Sequence, residues 1–522
     1  MRNVFQRREF LKLAGLSGMG VLPLGSQTGA AASSSPVVET ACGKVRGESA
    51  NGISSFKGIP YGGDTSGKNR FMPPTKPAPW RGIRDATQWG HVAPQRVGAP
   101  TEYSSMVRWQ TLPGGQGEDC LVLNVWTPNP KSGGKRPVLF SIHGGGFANG
   151  TSGNPVFDGY HLAKNHDAVV VTINHRLGPL GYLHLGDLSP EFSSSGVAGM
   201  LDCVAALEWV RDNIDRFGGD PGRVMIFGQS GGGSKTSFLQ AMPSAKGLFQ
   251  RAAMESGVAV RAPSRENATE NTEKLLAQLG LNKTQLRDLQ NIPFDKLVNT
   301  AAGAFSPIVD GKEISHLPFD PANHLADEIP IIVGSCLHDS ALSITDFSLD
   351  DAGMRAQARK NLGANADAIV NAYRKADPKD SPSLLMARMN TDRGLRRNSI
   401  AVAERRNAGG RALAYMYRID WRSVPYNGKF GAVHGVDVPM VFDNVNAWPL
   451  VGTSAQAVAL AHQMSSAWVA FARTGDPNTS EIPKWPAYRP DTRATMIFDA
   501  KVRVDNAPDR DLLSLWDSTN NS

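Results

Sequence analysis

No C-x-x-C unit occurs anywhere in this chain of 522 residues, whose four cysteines (Cys42, Cys120, Cys203 and Cys336) stand far apart. That excludes zinc ribbons and dithiol redox motifs. No H-E-x-x-H occurs either, so the zinc-protease helix is absent. A net charge of +7 is small for the length and argues against a nucleic-acid partner. The chain also lacks a Pro/Ser-rich linker, a charge block or an internal repeat. Its length could hold two or three average domains, yet with nothing to divide it one large domain over 33–522 is the simpler expectation. No stable membrane association is expected: the mildly apolar stretch near the start is broken by Pro23 and several glycines, and is shorter than the roughly 20 residues a span requires.

That stretch belongs to a segment to be set aside before the fold is read. Arg7 and Arg8 are followed by Phe10, Leu11 and Lys12, and the segment ends near Ala30-Ala31-Ala32. Residues 1–32 therefore read as a twin-arginine export signal cleaved after Ala32, with a periplasmic or secreted destination; a basic tail or a membrane anchor is the alternative. The segment carries four basic residues against Glu9, so the remainder keeps +4. An exported chain can oxidise its thiols, and four cysteines allow three full pairings, none of which the sequence selects.

What is present is a series of apolar, β-rich runs: 137–142, 168–173, 223–227, 330–334 and 412–419. Near-continuous apolar strands separated by helices indicate an α/β fold with a buried, mostly parallel sheet covered on both faces. Met200, Val204, Leu207, Val210 and Ile214 recur at helical spacing, as do Ala457, Ala461, Met464, Trp468 and Phe471; both stripes read as core packing. Two polar, helix-rich stretches, about 264–300 and 350–410, look like insertions capping the sheet, whose carboxyl strand ends carry the site in such folds.

"FGQSGGGSKTS" (227–237) is no P-loop, because Gln229 and Ser234 stand where glycines are required. It contains G-x-S-x-G instead, with Gly228, Ser230 and Gly232 directly after a strand-like run. Strand, tight turn and helix hold a serine clear of the sheet as a nucleophile. "SIHGGGF" (141–147) follows another strand. Its glycines leave backbone N–H groups unobstructed, so Gly145, Gly146 and Gly231 are the candidate donors of an oxyanion hole; losing one such donor costs about 3–4 kcal/mol.

Taken with "FKGIPYG" (56–62), "EDCLVLNVW" (118–126), "NHRLGPLGYL" (174–183), "FGGDP" (217–221) and "FARTGDPN" (471–478), these motifs resemble the type B carboxylesterases, in family order and over almost the whole chain from Val38 to Trp516. The resemblance implies an α/β-hydrolase fold, a central mostly parallel sheet flanked by helices with helical caps. It also implies a serine ester hydrolase that needs no metal or organic cofactor and acts on small-molecule esters. A lipase, amidase or carbamate hydrolase with the same triad, or a non-catalytic binding protein on the same fold, are the alternatives. Oligomeric state is not legible.

The resemblance also supplies the serine's partners. The family's H-G-x-E/D segment falls on "VHGVD" and gives His434, among the five histidines after Ser230 (His316, His324, His338, His434 and His462). Its G-x-x-x-x-E pattern falls on Gly334 to Asp339, with Asp310 the rival acid. Aspartate is one methylene shorter than the usual glutamate, so the loop or His434 must sit about 1.5 Å closer. Gln229 and Gly231 replace the usual Glu and Ala beside the nucleophile, and Ala93 stands where the family pairs a cysteine with Cys120. Cys120 is thus expected as a buried thiol, and Cys203 and Cys336 as small apolar fillers. Phe147, Val258 and Arg261 are candidate substrate contacts, and Arg261 or Arg265 could receive a carboxylate, as on an ester of a polycarboxylic acid.

Overall fold

The computed structural model describes residues 35–130 and 133–517, so the segment read as an export signal lies outside the described residues. A small three-stranded sheet pairs β1 (Val37–Thr40) with β2 (Gly43–Arg46) and β2 with β5 (Ile83–Asp85). The large sheet has eleven strands: β3 (Glu48–Ala50), β4 (Ile53–Pro60), β6 (Val122–Thr127), β7 (Arg136–Ile142), β8 (Val169–Ile173), β9 (Gly219–Gln229), β10 (Arg251–Glu255), β11 (Ile331–Cys336), β12 (Ala414–Ile419), β13 (Ala494–Phe498) and β14 (Arg503–Asn506). Their order is β14-β13-β12-β11-β10-β9-β7-β8-β6-β4-β3. From β8 across to β13 every pair is parallel, and antiparallel strands close both edges.

All five apolar runs are strands of this sheet, because only a strand buried on both faces tolerates an unbroken apolar sequence. β6 was not legible as a strand, since Asn124 interrupts it. The structure satisfies that buried amide from elsewhere in the chain: its Nδ2 donates to Ser152 Oγ (3.1 Å) and Thr172 Oγ1 (3.0 Å), and its Oδ1 accepts from Gly58 N (3.0 Å). Both helical stripes are buried, on helices Ala198–Asn213 and Ala455–Thr474. The second helix is capped by the Ser454 side chain and stops at Gly475 in the left-handed region.

The insertions differ from one another. Helices Arg265–Gln278 and Phe294–Thr300 pack around their own apolar cluster with Leu180, Leu183 and Phe192. In the second stretch, helices Asp351–Leu362, Ala366–Ala376 and Pro382–Thr391 gather around Tyr373 and Trp516. The helix Arg397–Gly409 lies instead against β11 and β12. The stretch 350–410 is therefore not all insertion: its last helix is the crossover that joins two parallel strands, a step such a pair requires.

The buried pair Arg176–Asp202 pins the "NHRLG" loop to the crossover helix. Arg176 donates Nε to Oδ2 (2.8 Å) and Nη2 to Oδ1 (2.6 Å), and its own N–H also donates to Oδ2 (3.0 Å). Asp202 is fully buried, so Arg176→Met strands an unpaired charge. The expected cost is about 3–5 kcal/mol, read as a fall in the denaturant midpoint.

Among the described residues all four cysteines are free, Cys120, Cys203 and Cys336 buried and Cys42 partly so. No helix among the described residues is long and apolar enough to cross a membrane.

Candidate active site

Among four neighbouring parallel strands, β7, β9, β10 and β11, the carboxyl ends of β7, β9 and β11 lead into Gly145 and Gly146, Ser230 and Gly231, and Asp339, while His434 lies in the segment after β12. β9 ends at Gln229 and the next residue, Ser230, takes φ 60° and ψ −124° before the helix Gly231–Leu239 begins. Such a backbone costs a non-glycine residue of order 1–3 kcal/mol, and the neighbours impose it. The Ser230 N–H donates to Glu255 O at the end of β10 (2.7 Å). A Cβ at Gly228 or Gly232 would stand 2.4 Å or 2.1 Å from Ile142 O, which explains the flanking glycines of the motif. Gly231 has the same kind of reason: a Cβ there would lie 2.1 Å from Gly146 O. The usual alanine is thus excluded by the close approach of the glycine loop.

Asp339 opens the turn after β11 and is fully buried. One carboxylate oxygen accepts from Cys336 N (2.7 Å) and Ser256 Oγ (3.0 Å); the other meets His434 Nδ1 at 2.7 Å. His434 reaches it because the strand-like segment before it runs alongside the acid turn. The His338 N–H donates to Ala432 O (2.9 Å), and the Ala432 N–H donates to His338 Nδ1 (3.1 Å). That pairing runs next to the two residues that meet, so the shorter aspartate still reaches the imidazole. Tyr103 Oη, donating to His434 O (2.9 Å), holds the loop from the other side. Ser230 Oγ and His434 are not hydrogen-bonded to each other; such contacts tighten when substrate enters.

The other candidates are accounted for. His338 is buried, with Nε2 donating to Asp380 Oδ2 (2.9 Å), and burial lowers its pKa. His462 is 44% exposed at its side chain. Asp310 Oδ1 accepts the N–H groups of Lys312 (3.1 Å) and Ile314 (2.8 Å), the work of a turn residue. Gly145 and Gly146 take φ of 93° and 61°, and among the described residues no protein acceptor takes the N–H of Gly145, Gly146 or Gly231. These donors remain available to a ligand.

Most of the chain matches known proteins. The Carboxylesterase family model covers residues 34–516. The chain belongs to that family. The chain is 36% identical over 500 residues to para-nitrobenzyl esterase from Bacillus subtilis (strain 168), covering 91% of this chain and 96% of that protein. It is 32% identical over 497 residues to phenmedipham hydrolase from Pseudarthrobacter oxydans, covering 88% and 94%. A solved carboxylesterase from Geobacillus stearothermophilus superposes with TM-score 0.80 at 35% identity, over 92% of this chain and 99% of that one. This carboxylesterase therefore has the α/β-hydrolase fold and is a serine ester hydrolase.

Beside Asp339 the carboxylesterase buries two more carboxyl groups. Glu255 accepts from Trp468 Nε1 (2.7 Å) and Asp437 from Tyr417 Oη (3.0 Å). Burial, then the charge of a neighbouring carboxylate, raises both: Glu255 well above the usual range, with Asp437 as the neighbour, and Asp437 to about 6, with Asp339 as the neighbour. Ser256 and Tyr103 were not singled out from the sequence, because their partners lie 83 and 331 residues away.

Nothing in the G-x-S-x-G motif marks Lys235. It is fully buried in the helix after Ser230, and its Nζ donates to Gly146 O (2.7 Å) and His143 O (3.2 Å). Those carbonyls belong to the peptide groups on either side of the Gly145 and Gly146 donors, so the lysine braces the glycine loop from behind. Burial lowers its pKa to about 7. Since the unfolded lysine titrates near 10.4, the unfolded chain binds the extra proton between those values, and stability rises with pH across that window. Lys235→Met is expected to remove about 2 kcal/mol of the stability gained between pH 6 and 9, read from denaturant midpoints at both pH values. It is also expected to lower kcat about tenfold, roughly 1.4 kcal/mol of barrier.

Phe147 packs edge-on against Tyr182 (5.2 Å) and Phe238 (6.0 Å). Val258 is buried in the main core and Arg261 is exposed. Arg265 is engaged by Asp187, through Nε at 2.8 Å.

Proposed function

We propose that this carboxylesterase hydrolyses small to medium organic esters by two-step acyl transfer, with Ser230 as nucleophile, His434 as base and Asp339 as the orienting acid. His434 takes the Ser230 proton through Nε2 as Oγ attacks the carbonyl. Asp339, already on Nδ1, holds the ring in the tautomer that leaves Nε2 free and stabilises the imidazolium. The N–H groups of Gly145, Gly146 and Gly231 receive the oxyanion. His434 then protonates the departing alcohol, and water repeats the sequence on the acyl-enzyme. The observation that carries this reading is the hydrogen-bonded series Ser256–Asp339–His434 beside a serine held at φ 60°.

The test is turnover of p-nitrophenyl esters from acetyl to dodecanoyl by the chain starting at Ser33, with a fluorophosphonate label located by mass spectrometry. Label on Ser230 together with a chain-length optimum supports the reading; label on another serine overturns it. Residues 1–32 are proposed to direct export, supported by the Arg7-Arg8 pair. Lysines at both positions should keep the protein in the cytoplasmic fraction.

The anionic-ester reading now rests on Arg261, since Arg265 is held by Asp187. Arg261→Ala should lower kcat/KM for a hemi-ester of a dicarboxylic acid about tenfold relative to the matched neutral ester. An unchanged ratio removes Arg261 from substrate recognition.

A further inference from the structure

Away from the catalytic residues, three side chains from separate parts of the chain converge. His166 ends the helix Tyr160–His166, Asp443 follows the short helix Val438–Val441, and His462 lies within the helix Ala455–Thr474. His166 Nε2 stands 3.7 Å, and His462 Nδ1 3.4 Å, from the same oxygen, Asp443 Oδ2. One ligand atom from each residue lies within 4.8 Å of the others. Two ligand atoms on a tetrahedral zinc ion with bonds near 2.0–2.1 Å are about 3.3 Å apart, so the two measured spacings are close to edges of that figure. We propose that His166, His462 and Asp443 form a surface zinc site, with a fourth position open to water.

The surroundings match what a metal site needs. His462 directs its other nitrogen, Nε2, toward Glu481 Oε1 (3.6 Å). At that distance the carboxylate is a nearby negative charge that favours a cation on the site. Asn165 Nδ2 donates to Asp443 Oδ2 (2.7 Å), leaving that oxygen a second lone pair. Asp443 is itself held at φ 52°, a backbone region that aspartate and asparagine enter more readily than most residues. The rings of His166 and His462 stack 4.9 Å apart, which turns both toward the one carboxylate. His166 Nε2 meets Ser465 Oγ (2.8 Å), a contact the metal would replace; Ser465 keeps its hydrogen bond to His462 O (3.0 Å). Two imidazoles and a carboxylate favour zinc over magnesium or calcium. The side chains of His166 and Asp443 are 8% and 7% exposed, whereas that of His462 is 44% exposed, which gives an ion a route in. Sequence spacing offers no hint of this site, because its ligands stand at positions 166, 443 and 462.

Bound zinc would tie two helices and the loop after a third, so it would stabilise the folded chain by mass action without entering the ester chemistry. The test is equilibrium dialysis of chelator-stripped protein against zinc chloride, with thermal unfolding and p-nitrophenyl acetate hydrolysis measured in parallel. One zinc per chain is expected, together with a higher Tm. His462→Ala and Asp443→Asn should each weaken binding tenfold or more and abolish the Tm rise, with hydrolysis unchanged as proof of folding. Asparagine preserves the left-handed backbone at 443. His324→Ala, which removes an exposed histidine paired with Asp327 (2.9 Å), should bind as the parent does. Absence of zinc uptake, or uptake equal in the parent and both ligand variants, overturns the site.

Discussion

Ser230→Ala is expected to lower kcat about 10⁶-fold on p-nitrophenyl acetate, the scale seen when the nucleophile of a serine hydrolase is removed. The loss is this large because the residues act as a unit. Without Oγ, the pair of His434 and Asp339 at 2.7 Å has no proton to take, and only the oxyanion donors and substrate binding remain, worth about 10³–10⁴ over water. Folding should survive, since the strained turn is held by backbone contacts the substitution leaves in place: Ser230 N to Glu255 O (2.7 Å) and the close packing of Gly228 and Gly232 on Ile142. Tm should therefore hold or rise, alanine being no worse than serine at this backbone. Parent-like turnover by the variant would remove Ser230 from the mechanism, whatever the label experiment reports.

Asp339→Asn is expected to cost about 10⁴ in kcat with KM little altered. The carboxylate accepts from three donors: Cys336 N, Ser256 Oγ and His434 Nδ1. An asparagine has one acceptor oxygen, and Cys336 N and Ser256 Oγ approach the same side, so its carbonyl stays there and its amide faces His434. An amide donor on Nδ1 forces the ring hydrogen onto Nε2, the position that must accept the serine proton. Pre-steady-state acylation should slow in parallel with kcat. A loss of only tenfold would shift the acid role to Asp437, three residues beyond His434 and pushed up to about 6 by burial and by Asp339. Under the present assignment Asp437→Asn stays within tenfold of the parent.

The fold was legible where a strand is both buried and rich in large apolar or β-branched residues. An apolar run such as Val169–Ile173 has one low-energy fate in a covered sheet, and the five runs read from the sequence are five of its strands. β10 and β6 were not legible, the first because Arg251–Glu255 is short and poor in β-branched residues, the second because Asn124 finds its partners 28, 48 and 66 residues away. Ser230 announced itself because a nucleophile turn constrains its immediate neighbours to be glycine. The export reading of residues 1–32 is likewise a matter of local pattern alone.

Taken alone, the sequence determined the α/β class, the turn at Ser230 and the glycine loop at 144–146, all marked by residue patterns that lie within a few positions of one another in the chain. Only the tertiary structure joined Asp339 to His434, set Lys235 under the glycine loop and gathered His166, Asp443 and His462. Those contacts span tens to hundreds of residues, and the sheet order and loop packing that produce them leave no periodicity in the chain to read.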